Sequence, residues 1–124
     1  NGCTDVTGFG FLGHLSEMLN DKVSIVINSK KVPYIKEAYE YAEEFLITSA
    51  GQKNRKHLGE KIVLDGVSFP MEEILFDPQT SGGLLISVAD KDVDKLLADL
   101  SELDIKSSLV GEVVEKSEFR IKVT

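Results

Sequence analysis

The sequence predicts an α+β fold, a mixed β-sheet with helices packed on it. Apolar residues recur at helical spacing in three separate segments, and aliphatic runs of strand length lie between them. Turn residues punctuate the joins, and the resulting order of helices and strands suits a mixed sheet covered by helices. In chain order, Phe11, Leu12, Leu15, Met18 and Leu19 give a first amphipathic helix over about residues 8–20, with Asp5 and Thr7 available as its caps. The β-rich run Val23-Ser24-Ile25-Val26-Ile27 follows the turn residues Asn20-Asp21. Pro33 opens a second helix whose apolar face (Ile35, Ala38, Tyr39, Ala42, Phe45, Leu46) is expected in the core and whose acidic face is solvated.

The polar, glycine-containing stretch 48–56 reads as a loop. Ile62-Val63-Leu64 and Val67-Ser68-Phe69 flank Asp65-Gly66, a short-range hairpin signal. Residues 70–75 suit one short helical turn, and the turn-rich segment 76–83 feeds an apolar strand over 84–88. A third helix over about residues 91–103 carries Val93, Leu96, Leu97 and Leu100. Two strands close the chain: residues 109–114, then Phe119, Ile121 and Val123 alternating with Glu118, Arg120 and Lys122, the pattern of a strand with one wet face.

Length and composition bound the function. The 124 residues fit a single domain, residues 1–124, able to bury a core without a metal or disulfide staple. Against 14 basic residues stand 21 acidic ones, a net charge of −7, which argues against a nucleic-acid partner or an anionic membrane surface. No apolar run approaches the roughly 20 residues of a membrane-spanning helix. A lone cysteine, Cys3, excludes an intrachain disulfide and fits a reducing compartment. With Asn1 rather than Met at its start, the chain reads as a soluble acidic domain cut from something longer.

Gly8-Phe9-Gly10-Phe11-Leu12-Gly13 matches G-x-G-x-x-G, the dinucleotide fingerprint, but its context fails. That motif needs a buried strand directly upstream, whereas residues 1–7 offer Val6 as their sole aliphatic, and the ribose-binding carboxylate would fall near Asn28. What survives is a glycine-rich helix start whose N–H groups favour an anion, with close helix-to-sheet packing as the plain alternative for Gly13. Asp5 in the same turn has two readings on pattern alone: an ordinary helix cap, or a carboxylate holding Mg²⁺ against phosphate oxygens. Cys3 lacks a histidine partner close in sequence and reads as an incidental thiol. His14 and His57 are isolated, which gives a zinc site little support; His14 is expected on the helix surface or against a neighbouring domain. Thr80-Ser81-Gly82-Gly83 suits either an anion-facing turn or a structural bend. Lys53, Arg55 and Lys56 are the one local basic cluster near a glycine turn, either solvated or facing a phosphate or a partner's carboxylates.

Two segments together carry a family resemblance. The run from Cys3 to His14, with Thr4-Asp5-Val6-Thr7-Gly8-Phe9-Gly10 at its centre, resembles the T-D-V/I-T-G-F-G-L-L-G-H segment of selenophosphate synthetases (selenide, water dikinases). Phe76-Asp77-Pro78-Gln79-Thr80-Ser81-Gly82-Gly83-Leu84-Leu85 resembles that family's F-D-P-Q-T-S-G-G-L-L segment. The resemblance implies the C-terminal domain of a larger two-domain enzyme, of the type in aminoimidazole ribonucleotide synthetase, with partial ferredoxin-like similarity. It implies the conversion of ATP, selenide and water into selenophosphate, AMP and phosphate. It also implies Asp5 as a ligand of Mg²⁺, and Thr7, Gly8, Gly10 and residues Thr80, Ser81, Gly82 and Gly83 as a wall of the ATP cleft. The reactive cysteine or selenocysteine, a lysine and most of the ATP site belong to the family's N-terminal domain, so Cys3 is not that nucleophile and this domain alone is expected inactive. A cytosolic homodimer is implied for the full-length enzyme. One departure stands out: the family's G-G-T-x-x-N-like stretch reads Ala50-Gly51-Gln52-Lys53-Asn54-Arg55 here. A thiamine-phosphate or purine-pathway enzyme of the same superfamily, or a non-catalytic binding module of this fold, are the alternatives.

Overall fold

A computed structural model describes residues 2–103 and 106–124; Asn1, the first of the residues upstream of the glycines, lies outside them. The chain forms β1 (Gly2–Asp5), α1 (Gly10–Glu17), β2 (Val23–Ile27), α2 (Lys36–Glu43), α3 (Ser49–Leu58) and β3 (Ile62–Leu64). It continues through α4 (Phe69–Phe76), β4 (Leu84–Ser87), α5 (Val93–Glu102), β5 (Gly111–Glu115) and β6 (Ile121–Val123). Four strands make a mixed sheet in the order β3-β6-β2-β5, with β2 antiparallel to β5 and parallel to β6, and β6 parallel to β3. The remaining two, β1 and β4, pair antiparallel as a separate ribbon in which Asp5 faces Leu84 and Cys3 faces Ile86. The α+β expectation therefore holds.

The core lies where α1 and α4 meet the central strands. Leu12, Leu75, Ile121 and Val123 are fully shielded, and Val6, Phe11, Leu15, Ile25, Ile27, Phe76 and Leu85 join them. In β6 the predicted alternation is observed: Ile121 and Val123 point inward while Lys122 reaches out to Asp65 at 3.0 Å. The half-buried residues of α5 are the predicted set Val93, Leu96, Leu97 and Leu100. No helix among the described residues is long and apolar enough to cross a membrane.

Several expectations are corrected. The hairpin around Asp65-Gly66 does not form. Gly66 turns the chain at φ +70°, but the Asp65 N–H donates to Val123 O, continuing β3 alongside β6. Pro70 has no N–H for a ladder and a fixed φ suited to a first helical turn, so Phe69 opens α4 instead of ending a strand. Stretch 48–56 is not a loop but most of α3, begun by the Thr48 hydroxyl accepting from the Gly51 N–H at 3.0 Å. The apolar face of α2 is not core: Ala42 is buried and Tyr39 partly so, while Ile35, Phe45 and Leu46 stand in solvent. Phe45, at φ +62°, turns the chain out of the helix, and its ring lies 5.2 Å from that of Phe69 at the surface. Strand β4 buries Leu85 alone, leaving Leu84 and Ile86 on an outer face, because a two-stranded ribbon covers only one of its sides.

Truncating Leu12 to Ala should remove about 2–5 kcal/mol of unfolding free energy, since its side chain is wholly enclosed. Urea denaturation of the two proteins checks this.

Candidate functional site

The two motif segments, some 70 residues apart in sequence, are brought edge to edge. The Val6 N–H donates to Gly83 O and the Gly82 N–H to Val6 O, both at 2.9 Å, extending the β1–β4 ladder into the loops. One residue on, the Thr7 carbonyl accepts from the Gly10 and Gln79 N–H groups, each at 3.0 Å. Gly10 sits at φ +72°, and a β-carbon there would lie 2.7 Å from Phe76 O, so only glycine fits where the first loop backs onto the end of α4. Gly82 is constrained likewise, since a β-carbon would meet Val6 O at 2.5 Å. Its N–H belongs to the ladder, so this member of the Thr80–Gly83 turn is occupied structurally; Thr80, Ser81 and Gly83 are exposed.

Helix α3 locks this arrangement from behind. Asn54 Nδ2 donates to Gly8 O and to Phe76 O, 3.0 Å each, tying the first glycine loop to the segment that begins the second. Arg55 donates to Glu72 Oε2 at 2.9 Å and to Glu73 Oε1 at 3.0 Å, and its guanidinium lies 4.7 Å from the Phe76 ring centroid. Glu73 is buried, and Gln52 donates to its other oxygen at 2.5 Å. The Thr48 hydroxyl donates to Asp77 Oδ1 at 2.7 Å. The basic cluster is thus split: Arg55 faces this chain's own carboxylates, and Lys53 and Lys56 are exposed. The sequence alone does not single out Asn54, since stretch 48–56 reads as a loop. The signals that could have found the helix are Thr48 as its cap, the basic last turn and Gly59 just beyond.

Asp5 ends β1 exposed, and its carboxylate makes no ion pair or hydrogen bond among the described residues. Neither it nor Thr7 caps α1: the N-cap position is Phe9, with no side-chain bond to the helix. That corrects the capping expectation, since β1 carries Asp5 four residues short of the cap and Thr7 turns its hydroxyl elsewhere. His14, expected at the surface, is buried instead, with Nε2 2.9 Å from Thr7 Oγ1, Nδ1 3.0 Å from Glu17 Oε2, and the Phe9 ring 5.6 Å away. Close packing at Gly13 is against the Phe9 side chain, 2.6 Å from an added β-carbon, rather than against a sheet. The dinucleotide reading stays excluded: β1 does stand upstream of the glycines, but it is exposed and antiparallel to its neighbour. Asn28, where that motif wants a carboxylate, caps a 3-10 turn over Ser29–Lys31.

Two shallow pockets accompany the site. One of about 110 Å³ between α1 and α3 is lined by Phe9, Glu17, Asn54 and His57 among others, and one of about 160 Å³ lies between α2 and α4. Both fall below the roughly 300–1,000 Å³ of pockets that enclose small-molecule ligands. Among the described residues no three His, Cys, Asp or Glu side chains gather in a metal-holding group.

The family described as "AIR synthase related protein, C-terminal domain" matches residues 1–124. A protein named selenide, water dikinase from Agathobacter rectalis is 48% identical over 122 residues, covering 98% of this chain and 36% of that protein. One of the same name from Desulfitobacterium hafniense is 41% identical over 119 residues, covering 96% of the chain and 35% of the relative. A third, from Clostridioides difficile, is 41% identical over 126 residues, covering 99% and 36%. The chain therefore spans little more than a third of the length of these relatives.

Replacing Asn54 with Ala leaves the Gly8 and Phe76 carbonyls without their shared donor. We expect a loss of about 1–3 kcal/mol and faster amide hydrogen exchange at Gln79 and Gly82, read by exchange NMR.

Proposed function

The chain belongs to the AIR synthase related protein C-terminal domain family, and from that premise we propose that it is the C-terminal domain, residues 1–124, of a selenophosphate synthetase. Its reaction would convert ATP, selenide and water into selenophosphate, AMP and phosphate, and this domain would supply one wall of the cleft in which the phosphates are held. The observation that carries the reading is the interlock itself: Asp5, Thr7, Gly8 and Gly10 on one segment and Thr80, Ser81, Gly82 and Gly83 on the other share one edge, with the Asp5 carboxylate exposed beside them and unengaged among the described residues.

The donor chemistry fits Mg²⁺, a hard cation that takes one or two carboxylates and fills its shell with water and phosphate oxygens. Asp5 would hold the ion, and the ion when bound would neutralise charge on the phosphates. What this chain's residues do is shape and orient. Gly8 lets the backbone approach a phosphate closely, Gly10 and Gly82 keep the two loops in contact, and Asn54 and Arg55 stiffen them from behind. Pockets too small for a nucleotide favour a cleft completed by the N-terminal portion that the relatives possess. The exposed side chains of Phe45, Leu46, Leu84 and Ile86 offer that portion an apolar surface to cover. A cytosolic enzyme, homodimeric at full length, completes the reading.

In the full-length protein carrying this chain, Asp5→Ala should weaken Mg²⁺-dependent ATP binding by about 10- to 100-fold, the scale of one charge-assisted contact. The melting temperature should stay within a degree or so, because Asp5 caps no helix. Calorimetric titration of ATP with and without Mg²⁺ checks both halves of the reading; unchanged affinity would falsify the metal role. Absence of selenide-dependent AMP formation by the wild type would overturn the assignment itself.

A further inference from the structure

His14 is an enclosed titratable group beside the first glycine loop, and neither the fold nor the metal reading uses it. Its hydrogen bonds set its proton. A carboxylate oxygen only accepts, so Nδ1 donates to Glu17 Oε2, and in the neutral ring Nε2 is then left to accept from the Thr7 hydroxyl. This is the geometry of a nucleophile or water activator backed by an imidazole and a carboxylate.

A purely structural role is a poor account of it. The Thr7 backbone is already pinned through its carbonyl by Gly10 and Gln79, and its side chain caps no helix. Val6, between Asp5 and Thr7, points into the core, so Asp5 and Thr7 flank a buried anchor at the loop edge. His14 is 7% exposed, whereas Thr7, whose Oγ1 bonds the His14 Nε2, is only half-buried, so Thr7 is the more exposed end of the pair. The pocket lined by Phe9, Glu17 and His57 opens at the other end of the chain of bonds.

We infer that Thr7, His14 and Glu17 form a proton relay that activates the water consumed in the reaction, an inference that rests on the function proposed above. A water bonded to Thr7 Oγ1 attacks phosphorus. As the new P–O bond forms, a water proton passes to Thr7 Oγ1 and the Thr7 proton passes to His14 Nε2. The phosphoanhydride P–O bond breaks, and its electron pair departs on the leaving phosphate oxygen. The resulting imidazolium keeps its Nδ1 bond to the Glu17 carboxylate until the proton leaves to solvent. Thr7 is the catalytic residue of the three; His14 and Glu17 act through it.

The test pairs a spectrum with kinetics. Side-chain ¹⁵N NMR of the 124-residue chain should show His14 as the Nδ1–H tautomer, with its Nε2 resonance moved by Thr7→Val; an Nε2–H tautomer overturns the relay. In the full-length enzyme, Thr7→Val and His14→Gln should each lower kcat for AMP formation by about 100-fold or more, with KM for ATP little changed. Glutamine can bridge Thr7 and Glu17 but cannot take a proton, so a His14→Gln enzyme that keeps its kcat reduces the triad to a staple and overturns the proposal. Thr7→Ser should restore most of the rate, and a dead Thr7→Ser enzyme that still binds ATP would also overturn it. Failure of the wild type to make AMP in response to selenide removes the functional reading and the relay's task with it. An active wild type with an unimpaired Thr7→Val variant removes the relay alone.

Discussion

The side-chain amide of Asn54 donates to two carbonyls that belong to different loops, Gly8 and Phe76, and much of the site depends on that bridge. The loops have few ways to hold each other. Glycines supply no side chains to interlock, and the ladder bonds between residues 6–7 and 79–83 are backbone bonds at the end of a two-stranded ribbon, an element marginal in isolation. A rigid donor from a third element converts this contact into a fixed edge. It does so only if α3 is itself in place, which explains why the helix is fastened so heavily to α4.

That fastening has a cost and a compensation. Glu73 is buried, and a buried carboxylate is destabilising unless its oxygens are paired. Arg55 and Gln52 satisfy one oxygen each, and the Arg55 guanidinium lies over the Phe76 ring. Polar side chains thus do for α3 what an apolar stripe does for an ordinary amphipathic helix. The consequence is a loop edge held from the inside, with Asp5 exposed and unpaired among the described residues, Gly8 exposed, and Thr7 joined to the interior through His14.

The elements written in periodic apolar residues were legible. Helix α1 and strands β2 and β6 follow from spacing because each buries one face against a continuous core, and the stripe of α5 follows too, though it is only half-buried and stands outside that core. Helix α2 shows the reverse: its apolar face has the right period, yet Phe45 and Leu46 are exposed, since period says which residues share a face and not whether anything covers it. The Asp65-Gly66 turn was real while the hairpin was not, because the partner of β3 is β6, nearly 60 residues on. Local pattern cannot report such a pairing.

For the site, the residue types in the two glycine-rich segments, and their resemblance to a known family, are properties of the sequence alone. So are the acidic balance and the lone cysteine. Tertiary structure decided the rest: that Asp5 is not a cap, that His14 is enclosed between Thr7 and Glu17, and that Asn54 ties the two loops together. The physical reason is common to all three. A side chain's role as cap, ligand or relay depends on which donors and acceptors lie within about 3 Å of it, and in this chain those partners come from other turns or other elements, beyond the reach of local periodicity.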